Sequence, residues 1–233
     1  MKTLMTLFVV GCAAALIRVP MFAQSPASSP NAASIPSDSP KTTSAQSPVA
    51  APSRPDEAEI MKQMMELSKL NENHKLLASL AGNWNYKIKF WMNPDPNAPP
   101  QESKGTSTTK PIMGGRYFVT DVSGKMKMPG PDGKMKETDF KGMSIEGYDN
   151  VKQKFFASWI DNMGTGIELS EGTYDPATTT FTYNAEMEPV PGMKSKVREV
   201  VKIADNDHHT LEWYEEQGGQ ERKTMEITYT RKK

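Results

Sequence analysis

Beyond position 12 the chain has no cysteine, Cys12 being the single one in 233 residues. One thiol cannot build an intramolecular disulfide framework or a zinc–thiolate site. Charge of one sign is missing as well: lysines and arginines number 28, and so do aspartates and glutamates. No net field exists to gather nucleic acid or an anionic membrane surface, so neither is expected as a partner. The apolar run from Leu4 to Ile17 is shorter than the roughly 20 residues that span a bilayer, so no membrane span is expected. Catalytic motifs are absent too. There is no Gly-x-Ser-x-Gly elbow, no His-Glu-x-x-His helix and no glycine-rich phosphate loop. Glu215 and Glu216 are strand neighbours that point to opposite faces, which rules them out as an acid–base pair. The expectation is a protein that is not an enzyme and carries no cofactor.

What is present divides into four stretches. Residues 1–23 read as a secretory signal, with Lys2 before the apolar run and a small residue, Ala23, at the cut. Export follows, to the periplasm or out of the cell. The segment Val9 to Cys12 (VVGC) resembles a bacterial lipoprotein box, which would place a lipid anchor on Cys12. Against the anchor, few residues precede Cys12 and the apolar run continues past it; a cut near Ala23 leaves the mature chain without cysteine. Residues 24–55 are serine, alanine and proline with almost no large apolar side chain. Such a segment cannot bury enough surface to offset its ordering entropy and is expected to be a disordered spacer.

Residues 56–81 carry helical periodicity. Pro55 and the acids that follow suit a helix start. Ile60, Met64 and Leu67 share one face, and Leu76, Leu77 and Leu80 form a second cluster. Asn71 to Asn73 (NEN) divides the stretch into two helices, expected to pack on the following domain or to act as a Met-rich lid.

From Gly82 to Lys233 the period changes to two, with nine turn signals. They are NPDPNAPP from Asn93, the pair Gly114–Gly115, GPDG from Gly130, YDN from Tyr148, NMGTG from Asn162, YDPA from Tyr174, PVPG from Pro189, DND from Asp205 and QGG from Gln217. Connections this short join antiparallel strands. The predicted fold is mainly β: a closed antiparallel meander barrel of about ten strands, preceded by one or two short helices. Closure is expected because an open sheet of that size leaves long unpaired edges.

Trp84, Tyr86, Ile88 and Phe90 alternate with Asn83, Asn85, Lys87 and Lys89, so one face of the first strand is aromatic and the other polar. The final strand repeats the scheme with Met225, Ile227 and Tyr229, and Arg231 falls on the apolar parity. If the barrel closes, first and last strands become neighbours and the Arg231 guanidinium can lie on the Trp84 ring. Gly82-x-Trp84 with a late arginine resembles lipocalins and the wider calycin group. LAGNWNYKIKFW, MGGRYF, GYDN, WIDNMGT and MEITYTRK, in this order, resemble the bacterial domain-of-unknown-function family numbered 1579, from about His74 to the C-terminus. The resemblance implies the barrel and suggests a binding role.

The expected ligand is a small, largely apolar molecule held inside a monomeric barrel. Its candidate contacts are Trp84, Tyr86, Phe90, Arg116, Trp159, Arg198, Trp213 and Tyr229. Tyr117, Val119, Phe155 or Phe156, Phe181, Tyr183 and Ile227 are also placed inward. Arg116 and Arg198 are included because a guanidinium fork matches a carboxylate head group; each could equally be a solvated strand charge, as could Asp121, Asp161 and Glu212. His208 and His209 point to opposite faces and cannot readily share a metal; an inward one could ligate haem iron. Met126, Met128 and Met135 could hold Cu(I) or simply line one face of a hairpin. The alternative function is a solidly packed, envelope-associated interaction domain acting through its surface.

Overall fold

The computed structural model describes residues 56–91, 95, 97–130, 132–217 and 219–233. The expected signal segment, spacer and Cys12 lie outside the described residues. Two helices come first, α1 (Glu57–Leu67) and α2 (Glu72–Ser79). Asn71 separates them because it caps α2: its Oδ1 accepts from the Asn73 amide at 3.0 Å, and the His74 ring nitrogen Nδ1 accepts from the Asn71 amide at 3.2 Å. Side chains of α1 are exposed, with none buried. In α2, Leu77 is fully buried and His74 is nearly so. Asn150 fixes the linker between the helices by donating to the carbonyls of Leu67 and Lys69 at 2.7 and 2.8 Å.

Ten strands follow in the described chain: β1 (Gly82–Phe90), β2 (Gln101–Ile112), β3 (Tyr117–Pro129), β4 (Met135–Asp149), β5 (Lys154–Asp161), β6 (Glu168–Asp175), β7 (Thr180–Val190), β8 (Met193–Asp205), β9 (His208–Gln217) and β10 (Gln220–Arg231). Each pairs antiparallel with the next and β1 pairs with β10, so the meander closes into a barrel. All nine turn signals fall at or beside the nine connections, which are too short for anything but antiparallel neighbours. Period-two alternation places Trp84, Tyr86 and Ile88 inside, while Asn83, Asn85, Lys87 and Lys89 face water.

The α2 side of the barrel is a dry plug. Leu77 packs with Phe118, Phe155, Phe181 and Tyr183, and Leu76, Leu80 and Tyr148 complete the cluster. Phe155 and Phe181 meet edge to face with ring centres 4.9 Å apart. Within β3 the inward residue is Phe118, not Tyr117 or Val119. Tyr117 sits on the outer face, where its ring contacts Phe156 at 6.1 Å above Gly147. Phe155 rather than Phe156 faces the core.

The seam repeats the sequence expectation in detail. Trp84 and Arg231 are directly opposed, and the guanidinium carbon lies 4.1 Å from the Trp84 ring centre. Arg231 also donates to the Ala81 carbonyl at 2.7 Å, the Ser79 carbonyl at 3.0 Å and the Asn206 carbonyl at 2.7 Å. Trp84 Nε1 donates to the Leu80 carbonyl at 3.0 Å. Three carbonyls that leave the end of α2 without helical partners are thus satisfied by the two seam residues. Gly82 is required beneath them: its φ is +137°, and a Cβ there would collide with Arg231 Nη1.

Removing that guanidinium should be costly. Arg231→Ala is expected to lower the unfolding free energy by about 2–3 kcal/mol, from the lost ring contact and hydrogen bonds. Exposed Lys232→Ala should change it by under about 0.5 kcal/mol. Denaturant unfolding of both variants checks this, and equal effects would count against a seam locked by Arg231.

Candidate functional site

Inside the barrel, above the α2 plug, is a cavity of about 100 Å³. Every strand except β6 contributes to its wall. Part of the lining is apolar, from Leu80, Trp84, Ala157, Phe181, Val201 and Leu211. The rest is polar: Ser107, Thr109, Thr120, Glu146, Tyr183, Glu199, His209 and Tyr229. The oily interior expected from the first strand is therefore only half of the chamber. A wider groove of about 510 Å³ lies between α2 and neighbouring barrel turns, lined by Glu72, Leu76, Tyr148, Tyr174 and others, but it is an open surface feature.

Glu199 reaches the interior because β8 alternates Val197, Glu199, Val201 and Ile203 toward the core, with Tyr183 and Trp213 as its cross-strand neighbours. Glu146 is the inward residue of β4 opposite Phe118 and Ala157. Its Oε1 accepts from the Ser144 hydroxyl at 3.0 Å. Loss of water, and then the nearby charges of Glu168 and Glu146, push the Glu199 carboxyl up to about 8, partly offset by a hydrogen bond from Ser170. Glu168 rises to about 7 through desolvation first, then the charges of Asp161 and Glu215. Desolvation raises Glu146 in the same direction. The interior is thus a line of carboxyls that favour the neutral form. No lysine or arginine lies among the cavity residues.

His209 faces this chamber and is 9% exposed. Its ring stacks on Tyr229 at 4.2 Å and meets the Trp84 ring edge-on at 4.4 Å. Nδ1 is buried with no hydrogen-bond partner among the described residues. Desolvation, and then the charge of Arg231, lower the His209 pKa to about 4, so the ring is neutral at ordinary pH. A buried polar atom at a cavity wall with no partner in the chain takes one from outside it, a water or a ligand group.

The residues expected to hold a ligand separate into two groups. Trp84 and Tyr229 line the chamber. Tyr86 points inward beneath it, its ring lying over Gly105 and Gly124, where no Cβ could fit. Phe90, Trp159 and Trp213 are half-buried toward the other end, where Phe90 opposes Met225. There the indole nitrogens of Trp159 and Trp213 donate to Asp161 at 3.0 Å and Glu215 at 3.1 Å.

Arg116 and Arg198 are not inside. Arg116 is exposed and donates to the Ser68 carbonyl at 3.3 Å. Arg198 is on the outer face, bound to Glu221 at 2.7 Å and stacked 4.1 Å from the Tyr214 ring centre. Between inward Val197 and inward Glu199, its own side chain must point out. Asp161 also opens the following turn, accepting from the amides of Met163 and Gly164 at 2.8 and 3.1 Å.

Sequence reading missed Glu146, Glu168 and Glu199. Only Glu199 left a clear trace, as a charge on the parity of Val197 and Val201. Haem does not fit: a chamber of about 100 Å³ has no room for a porphyrin, and the His209 ring is already packed against those of Tyr229 and Trp84. Among the described residues, no group of three or more His, Cys, Asp or Glu is placed to hold a metal ion. Met126 and Met128 are half-buried while Lys125 and Lys127 are exposed, the arrangement of a hairpin face. No described helix is long and apolar enough to cross a membrane.

The shifted groups set a pH dependence of stability. Folded Glu199 and Glu168 keep protons up to about 8 and about 7, whereas glutamate ordinarily releases them near 4.5. The folded state therefore binds more protons over that span, and stability falls as pH rises through it. His209 acts oppositely: with 4 folded against 6.5 unfolded, its contribution grows from about pH 4 and is complete by 6.5. From pH 6.5 to 8 only the carboxyls act, so stability should fall by up to about 1.4 kcal/mol per pH unit per group. Thermal melts across that range should show the decline, and Glu199→Gln should remove most of it. A flat wild-type profile would contradict the buried carboxyl assignment.

Among solved structures the chain is similar to Rv2717c from M. tuberculosis, at 13% identity and a TM-score of 0.47, over 71% of this chain and 100% of that one. It is also similar to a redesigned β-barrel, at 13% identity and a TM-score of 0.33, over 67% of this chain and 94% of that one. The chain matches none of the curated proteins. A family model, described as a protein of unknown function, DUF1579, matches residues 69–231, which takes in α2 and the barrel from β1 to the seam arginine of β10. The chain belongs to the DUF1579 family.

Proposed function

We propose that this barrel is a non-catalytic binder that takes a small molecule, or the head group of a longer one, into its interior chamber. The observation that carries the reading is His209 Nδ1, buried and unpaired at the wall of a cavity. Burying such an atom unpaired costs about 1–3 kcal/mol, which a hydrogen-bonding group entering the chamber would recover. The chamber, about 100 Å³, is smaller than the ~150 Å³ that accommodates benzene. What enters it is therefore a group of only a few heavy atoms.

The aromatic residues Phe90, Trp159 and Trp213 beyond the chamber suit an apolar remainder of the ligand. The apolar ligand expected from sequence is thereby narrowed to one with a polar head. An exported location is part of the same reading, since a carrier or sensor of a small molecule works where its ligand is met.

Native mass spectrometry of the protein recovered from its own host tests the proposal. The expected spectrum shows an added mass that disappears on denaturation. Thr120→Phe, which fills the chamber from β3, should abolish the adduct. Bare protein mass, persisting after incubation with host extract, would overturn the binding reading.

A further inference from the structure

The chamber has a chemistry that selects among small molecules. Its polar groups are the carboxyls of Glu146 and Glu199, the unpaired ring nitrogen of His209 and five serine, threonine and tyrosine hydroxyls, which can turn to accept as well as donate. With the proton of the neutral ring on Nε2, Nδ1 accepts. No basic side chain shares the lining, and each carboxyl has a serine hydroxyl as its hydrogen-bond partner, Ser144 for Glu146 and Ser170 for Glu199. Two carboxyls with hydroxyl partners retain most of their acceptor positions. The rings of Phe181 and Tyr183 complete the wall, and aromatic faces attract cations.

We infer that the chamber accepts the ammonium group of a small organic amine. The inference rests on the binding role proposed above. An ammonium offers three donors and no acceptor, the complement of two carboxylates and an imidazole nitrogen. An anion would meet two carboxyls with no compensating charge. A neutral alcohol would gain hydrogen bonds but no ion pairing. The size of the chamber restricts the head to a primary or lightly alkylated amine.

Entry of the cation is coupled to protons. Glu199 is faced by Glu146 from β4, Glu168 from β6 and Tyr183 from β7, and the Arg231 charge acts on His209 from the seam. An ammonium among these carboxyls favours their ionised forms, so a proton leaves as the amine binds.

Isothermal titration of the full chain at constant ionic strength, with ethylammonium, ethanol and acetate as probes, tests the inference. Ethylammonium should bind at least ~10-fold more tightly than ethanol, with acetate weakest. Heats at pH 7 in two buffers of different ionisation enthalpy should report proton release on ethylammonium binding. Glu199→Gln and Glu146→Gln should each weaken ethylammonium by ~10-fold or more and leave ethanol nearly unchanged. Circular dichroism verifies that both variants are folded. NMR shifts of the His209 and Trp84 ring signals report occupancy independently. If ethanol or acetate shifts those signals as strongly as ethylammonium, the amine class is overturned and the binding role stands. If no probe shifts them, both are overturned.

Discussion

A ring of strands has no edge to spare, so it depends on the single seam where the chain's first and last strands meet. Here that seam is the β1–β10 ladder, and one guanidinium clamps its end. Arg231 is laid on Trp84, and its remaining donors are used by carbonyls at the end of α2 and in the β8–β9 turn. The contact joins three separate things: the barrel's closure, the docking of the helical plug and the turn that leads into β9. An ordinary cross-strand pair stabilises two strands only. Because Arg231 holds α2 by the helix end, Leu77 is delivered onto Phe118, Phe155 and Phe181 at one side of the barrel and not left to find them.

Much of this is legible in the sequence. Turn chemistry marks the nine connections because glycine, proline, asparagine and aspartate act locally, without tertiary context. Asn71 divides the helices for the same reason. The seam was legible because Arg231 violates the parity of its own strand, and such a violation has few physical explanations. β3 was harder. Its two parities, Tyr117 with Val119 and Phe118 with Thr120, are almost equally apolar, since Tyr117 packs on Phe156 outside the barrel. Where both faces of a strand bury rings, period two carries no direction.

The interior acids show the same limit from the other side. Glu199 breaks parity as Arg231 does, but Arg198 next to it is equally charged, so the strand's own pattern does not say which of the two charges faces inward. Glu146 is less legible still, because its neighbours Met143 and Ile145 place the apolar parity on the opposite face. Neither strand alone reveals that the two carboxyls converge. That follows only from ring closure, which brings β4 and β8 across one chamber. Local reading therefore recovers the frame well and the site poorly: strands and turns are properties of segments, while a pocket is a property of the circuit.

Seam and chamber are also one assembly. Trp84 carries Arg231 over its face and meets His209 in a T-shaped contact, and His209 stacks on Tyr229, its cross-strand partner. Desolvation by these rings is the main reason that His209 stays neutral, and the Arg231 charge acts in the same direction. A neutral imidazole always leaves one ring nitrogen without a proton. The closing cation thus helps maintain an acceptor in the interior while remaining outside the chamber itself, where it would pair with the carboxyls. A lysine at position 231 would place a compact, strongly hydrated charge that cannot spread its donors over three carbonyls and lie flat on the indole. The choice of arginine therefore follows from the joint requirement that the ring be shut and its interior keep its acceptors free.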